Sequence, residues 1–206
     1  ILLFISFLWI IHFFNFNFKL NLYELGVFPR TLDGLFGIVF APIIHSTVNH
    51  NHLINNTVPF IILGWALFYF YYPIALRILF FSWIFTGFLV WLIGRESFHI
   101  GLSGVIYSML FFLFFSGVFR KDSRLLTISL LVVFIYGSMV WGIFPYNWSN
   151  SYESHLSGSL VGFFLSFFFK KKSATFKITK TQWEIEDDLG IENDDVEEIW
   201  KDENNF

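Results

Sequence analysis

Two short polar motifs head apolar stretches of this chain: Gly101-Leu102-Ser103-Gly104 and, further on, His155-Leu156-Ser157-Gly158. A serine hydroxyl is a weak nucleophile until a neighbouring base takes its proton. A serine and a histidine brought together in space therefore suffice to begin acyl transfer, whatever their separation along the chain. Polar residues also concentrate from His45 to Asn56, a run that includes His50, His52 and Asn55. His52 and Asn56 are four apart, so a helix through them turns both side chains to one face.

The elements that must position these groups are membrane helices. The 206 residues are 55% hydrophobic, include 31 phenylalanines and have a mean hydropathy of +0.61, outside the balance of a soluble domain. Alternation of apolar and polar residues is nearly absent, which excludes a barrel and leaves helices of about 20 residues as the spanning element. Apolar runs predict six segments, near 1–14, 53–72, 74–93, 101–119, 125–144 and 153–169. The first run is short and begins at Ile1, so residues are expected to precede it. A signal peptide fits less well, because the start lacks a basic region and no small-residue cleavage site follows. Polar groups in hydrocarbon cost several kcal/mol unless paired, so the His52 and Asn56 face is expected to look into the bundle or a water-filled cavity. Pro59 cannot donate to the Asn55 carbonyl, which leaves local backbone free.

Lysine and arginine set the expected topology. With residue 1 starting inside, Arg77, Arg120, Lys121, Arg124, Lys170, Lys171 and Lys172 lie on the cytoplasmic side, against Lys19, Arg30 and Arg95 outside. Both termini are then cytoplasmic, Tyr146 and Trp148 sit at the outer interface, and Ser103 and His155 fall toward the outer half of the bilayer. Residues 173–206 carry 11 of the 16 acidic residues with three lysines, a net of −8, whereas residues 1–172 carry +5. The reading is a membrane domain over 1–172 and an acidic, solvated cytoplasmic tail over 173–206. With no cysteine, disulfides and thiolate chemistry are excluded.

The histidine and asparagine four apart on the second helix, the Gly-x-Ser-Gly heading the fourth and the histidine followed by Gly-x-x-x-Gly on the sixth resemble the rhomboid intramembrane serine proteases. The likeness covers nearly all of residues 1–172 in order and spacing. It implies an all-α integral membrane protein, a six-transmembrane-helix rhomboid-like bundle, acting as an intramembrane serine endopeptidase on transmembrane segments of other membrane proteins. By the resemblance Ser103 is the nucleophile and His155 the general base of a dyad with no acid. His52, Asn56 and the Ser103 N–H stabilise the oxyanion, and Tyr107 packs on the catalytic histidine. Gly101 and Gly104 allow close backbone approach, and Gly158 and Gly162 form a small-xxx-small face that brings the sixth helix to the fourth.

Each of these residues has an ordinary alternative. A serine at a helix start is usually a cap, an intramembrane histidine a hydrogen-bonding strut, a tyrosine a packing aromatic. Two departures from the family pattern stand out. His45 precedes His52 by seven residues where five is usual, and His50, which restores the gap, has Ile54 and not asparagine four residues on. The first loop, about 15–37, lacks the usual tryptophan-arginine pair, and Phe28-Pro29-Arg30 is the candidate for part of that work. A zinc site built from His45, His50, His52 and His155 is disfavoured by the absence of a His-Glu-x-x-His run. A transporter is disfavoured because the two halves do not resemble each other. The expectation is no cofactor, no metal, no nucleic-acid partner and a bacterial cell membrane as the site of action. The substrate and the oligomeric state stay open.

Overall fold

A computed structural model describes residues 1–48, 50–121, 123–135, 141–145 and 151–170. The expected acidic tail lies outside these residues, as do Lys171, Lys172, Tyr146 and Trp148. Among the described residues the protein is all-helical. Its helices are α1 (Leu2–Phe18), a short α2 (Gly37–Phe40), α3 (Asn51–Tyr71), α4 (Ala75–Ile93), α5 (Ser103–Arg120), α6 (Ser123–Ile135) and α7 (Tyr152–Phe168). Of these, α3, α4 and α5 are long and apolar enough to cross a membrane. The helices α1 and α7 are apolar but reach 17 residues each, and α6 is described over 13. The spans expected near 53–72, 74–93 and 101–119 thus have helices of membrane-crossing length.

The sequence pattern explains which helix sits where. Along α4 the buried residues Ala75, Ile78, Ser82, Thr86 and Val90 recur every three or four positions and form one stripe. Leu76, Phe80, Phe85, Phe88 and Leu92 stay exposed. Such a helix faces lipid on one side and protein on the other. By contrast, α5 is buried over most of its length, including Tyr107, Ser108, Phe112 and Ser116. It is the central helix, in contact with α3, α4, α6 and, most extensively, α7.

In hydrocarbon no solvent-driven force brings two apolar helices together, so close packing and hydrogen bonds must do it. Gly158 and Gly162 supply the packing. A Cβ on Gly158 would lie 2.0 Å from the Gly104 carbonyl oxygen, and one on Gly162 would lie 2.2 Å from that of Ser108. The backbones of α5 and α7 are therefore in contact. At the far end of the pair Arg120 donates to the Phe169 carbonyl at 2.8 Å while lying over the Tyr71 ring. Ser108 donates to Ser82 at 2.8 Å, tying α5 to α4 as well.

The segment 19–48 packs along the second half of α4 and reaches the start of α5. Val27 and His99 form an antiparallel bridge, with N–H to carbonyl distances of 3.0 and 2.9 Å. Arg30 N–H donates to the Trp91 carbonyl at 3.0 Å and its guanidinium to the Gly94 carbonyl at 2.7 Å, so Arg30 fastens this segment to the end of α4. Pro59 is accommodated inside a continuous α3.

Candidate active site

Ser103 is the first residue of α5. The turn before it is made by Gly101 at φ +107°, a left-handed conformation that only glycine adopts without strain. Gly101 also has no room for a side chain, since a Cβ would sit 2.7 Å from His52 Nε2 and 3.9 Å from Asn56 Nδ2. The His52 and Asn56 side chains thus meet the backbone two residues before the serine. Asn56 is buried and uses one amide hydrogen on the His52 carbonyl at 2.7 Å, which leaves the other for a ligand.

The N–H groups of this loop are divided between structure and site. Gly101 N–H donates to the Ala41 carbonyl at 2.8 Å, and Leu102 N–H donates to His45 Nε2 at 3.3 Å. Ser103 N–H, at the helix start, has no intrahelical acceptor. It points from the positive end of the α5 dipole, where negative charge is favoured.

His155 sits one turn into α7 with Nε2 2.9 Å from Ser103 Oγ. Its ring stacks on Tyr107, centroids 4.2 Å apart and planes within 9°. Its Nδ1 is 2.9 Å from the Gly142 carbonyl oxygen. A hydroxyl in contact with an imidazole nitrogen, with the Ser103 N–H, the Asn56 amide and the His52 ring at the same turn, makes a constellation suited to attack on a carbonyl and stabilisation of the resulting oxyanion.

A family model, the Rhomboid domain, matches residues 33–172. The chain belongs to the rhomboid family. Rhomboids are generally serine intramembrane proteases. Uncharacterized proteins of Mycobacterium tuberculosis and Mycobacterium bovis are 35% identical over 151 residues, covering 66% of this chain and 60% of theirs. One of Mycobacterium leprae is 34% identical over 146 residues, covering 66% of this chain and 57% of its own. The chain therefore spans about 60% of the length of the curated relatives it matches.

Within this rhomboid the three histidines of the 45–52 cluster part company. His52 faces Gly101, whereas His45 is buried behind it and accepts the Leu102 N–H, which shapes the Gly-Leu-Ser-Gly turn from below. Burial, and then any charge on neighbouring His52, push the His45 pKa down to about 3, so it stays a neutral acceptor. His50 turns away to His12 of α1, with Nδ1 to Nε2 at 2.8 Å. Among the described residues no group of three or more histidine, aspartate or glutamate side chains could hold a metal.

A clasp between the α4–α5 loop and the start of α7 escaped the sequence reading. The His99 ring lies 3.0 Å from the Arg95 carbonyl through Nε2 and 2.6 Å from Ser151 Oγ through Nδ1. A carbonyl only accepts, so Nε2 donates and the neutral ring accepts the Ser151 hydroxyl at Nδ1. Burial holds the His99 pKa below the usual histidine value, partly opposed by the Arg95 carbonyl. Ser151 in turn caps α7 by accepting the Ser154 N–H at 3.2 Å. Buried Glu153 pairs with Arg95, Oε1 to Nε 3.4 Å, and so is directed away from a triad role. The signal available in the sequence was position alone: His99 stands four residues from Ser103, and Glu153 two residues from His155.

Proposed function

We propose that this rhomboid is a serine endopeptidase with a Ser103–His155 dyad that cleaves transmembrane segments of other membrane proteins. The observation that carries the reading is the 2.9 Å approach of His155 Nε2 to Ser103 Oγ, with Tyr107 stacked on the imidazole. Ser103 Oγ attacks the scissile carbonyl carbon as its proton passes to His155 Nε2. The oxyanion takes hydrogen bonds from Ser103 N–H, the His52 side chain and the Asn56 amide. The C–N bond then breaks, and the leaving amine receives the proton from His155. Water, deprotonated by the same histidine, attacks the acyl-serine ester, releases the second fragment and restores the hydroxyl.

The rest of the reading follows from the charge pattern and the family. Six spans, with α1, α6 and α7 joining α3, α4 and α5, place both termini in the cytoplasm of a bacterial cell and the dyad toward the outer half of the bilayer. Substrates are segments whose helix unwinds locally around small residues, because a regular helix keeps its carbonyls in internal hydrogen bonds. The test is purified full chain with a single-span membrane substrate, wild type beside Ser103→Ala and His155→Ala, together with labelling by a fluorophosphonate. Cleavage and labelling of Ser103 are expected in wild type and neither in Ser103→Ala. Cleavage that survives both substitutions refutes the dyad.

A further inference from the structure

We infer that the carbonyl of Gly142 is the positioning group for the base, standing where a triad has a carboxylate and selecting the tautomer in which His155 can accept the serine proton. This rests on the dyad proposed above. A carbonyl oxygen has no proton to give, so the 2.9 Å contact between His155 Nδ1 and Gly142 O requires the hydrogen on Nδ1. A neutral imidazole carries one N–H. Nε2 is then unprotonated and directs its lone pair at Ser103 Oγ, 2.9 Å away.

The stacked Tyr107 cannot make this choice. Its face fixes the plane of the His155 ring, but a half-turn of the ring in that plane, or a swap of tautomer, leaves the stack unaltered. Either change would turn an N–H or a carbon toward the serine. Only a directional acceptor on the Nδ1 side discriminates, and among the described residues the Gly142 carbonyl is where that acceptor is found. Glu153, the carboxylate nearest in sequence, is turned to Arg95.

Gly142 lies in a turn closed by Phe144 N–H on the Trp141 carbonyl at 3.0 Å, in the connection between α6 and α7. The base is therefore carried by one element and oriented by another. When His155 becomes an imidazolium, the Nδ1–H to carbonyl bond becomes charge-assisted and strengthens, so it favours the transition state over the resting state.

The test weakens this one acceptor. In the full-length chain the Gly142–Ile143 amide is replaced by an ester, using the α-hydroxy analogue of isoleucine at 143, which makes the Gly142 carbonyl a poorer acceptor and also removes the Ile143 N–H. A second ester at the Ile143–Phe144 bond removes the N–H that closes the turn and serves as the structural control. The readouts are nitrogen NMR of histidine-labelled protein, with the His155 signals identified by their loss in His155→Ala, and kcat and KM on the single-span substrate. Wild type is expected in the Nδ1–H form. The Gly142 ester is expected to give mixed tautomers and a kcat lower by about five- to tenfold, as for one weakened hydrogen bond, with KM within about twofold. The control is expected to keep the wild-type tautomer. An Nε2–H form in wild type overturns the inference. So does a tautomer untouched by the Gly142 ester, or equal losses of kcat in both esters with no tautomer change. An Nδ1–H wild type whose Ser103 resists every fluorophosphonate would sink the proposed function while supporting this orientation of His155.

Discussion

Replacing Gly158 by alanine tests whether the contact between α5 and α7 sets the distance on which catalysis depends. The new methyl group would sit 2.0 Å from the Gly104 carbonyl oxygen, and ordinary contact begins near 3.4 Å, so the helices must separate by about 1.4 Å at that point. The obstacle is backbone, which cannot swing aside as a side-chain tip can. Gly158 lies three residues, just under one turn, beyond His155, so the displacement is transmitted to the imidazole. Adding even half of it to the present 2.9 Å takes Nε2 beyond hydrogen-bond reach of Ser103 Oγ. A misplacement of about 1 Å costs on the order of 100-fold in rate. The assay is the rate of fluorophosphonate labelling and of substrate cleavage for Gly158→Ala beside Leu160→Ala, whose side chain is exposed on the other face of α7. Loss of about two orders of magnitude in the first and near wild-type rates in the second are expected. A Gly158→Ala enzyme within threefold of wild type, with unchanged helix content, refutes the geometric argument.

Four further outcomes follow from the site. If the proposed mechanism holds, removing the Asn56 amide or the His52 ring, as Asn56→Ala or His52→Ala, should lower kcat by about 100- to 1000-fold with little change in KM, since in that mechanism those donors meet the oxyanion and not the ground-state carbonyl. Tyr107→Phe should retain activity, because the stack needs only the ring, whereas Tyr107→Ala should lose up to about tenfold by freeing the His155 plane. For the clasp, Arg95→Met should lower the thermal midpoint in detergent more than Arg95→Met with Glu153→Gln together, because it leaves the buried Glu153 carboxylate without its cation, and a lone buried charge costs more than no pair at all. His99 adds a pH term to the same measurement. Its pKa is lowered on folding, so its contribution is fully present above the unfolded value near 6.5 and declines as pH falls through the folded value, where Nδ1 gains a proton and releases Ser151.

The relation between Ser103 and His155 shows how far the sequence reaches. Both stood at the heads of apolar runs, and the resemblance of three motifs named their roles. Gly158 and Gly162 announced a close helix approach because small residues at that spacing have few other uses in lipid. The membrane character was legible from composition alone, since burial in hydrocarbon acts on every residue and needs no partner.

What only the tertiary structure decided is direction among polar groups that spacing could not rank. His45, His50 and His52 are alike in type and lie within eight residues, yet one shapes the serine turn, one meets His12 of α1 and one faces Gly101 beside Asn56. Local periodicity could not separate them, because His45 and His50 precede the first residue of α3 and their directions are set by the segment that leads into it. The Arg95–Glu153 pair, the His99–Ser151 bond and the Gly142 carbonyl join residues 52 or more apart or use backbone atoms that every residue possesses. Side-chain identity therefore fixed which chemistry the chain could carry. Hydrogen-bond direction, which exists only once the helices and their connections are packed, fixed which of those groups meet at the serine.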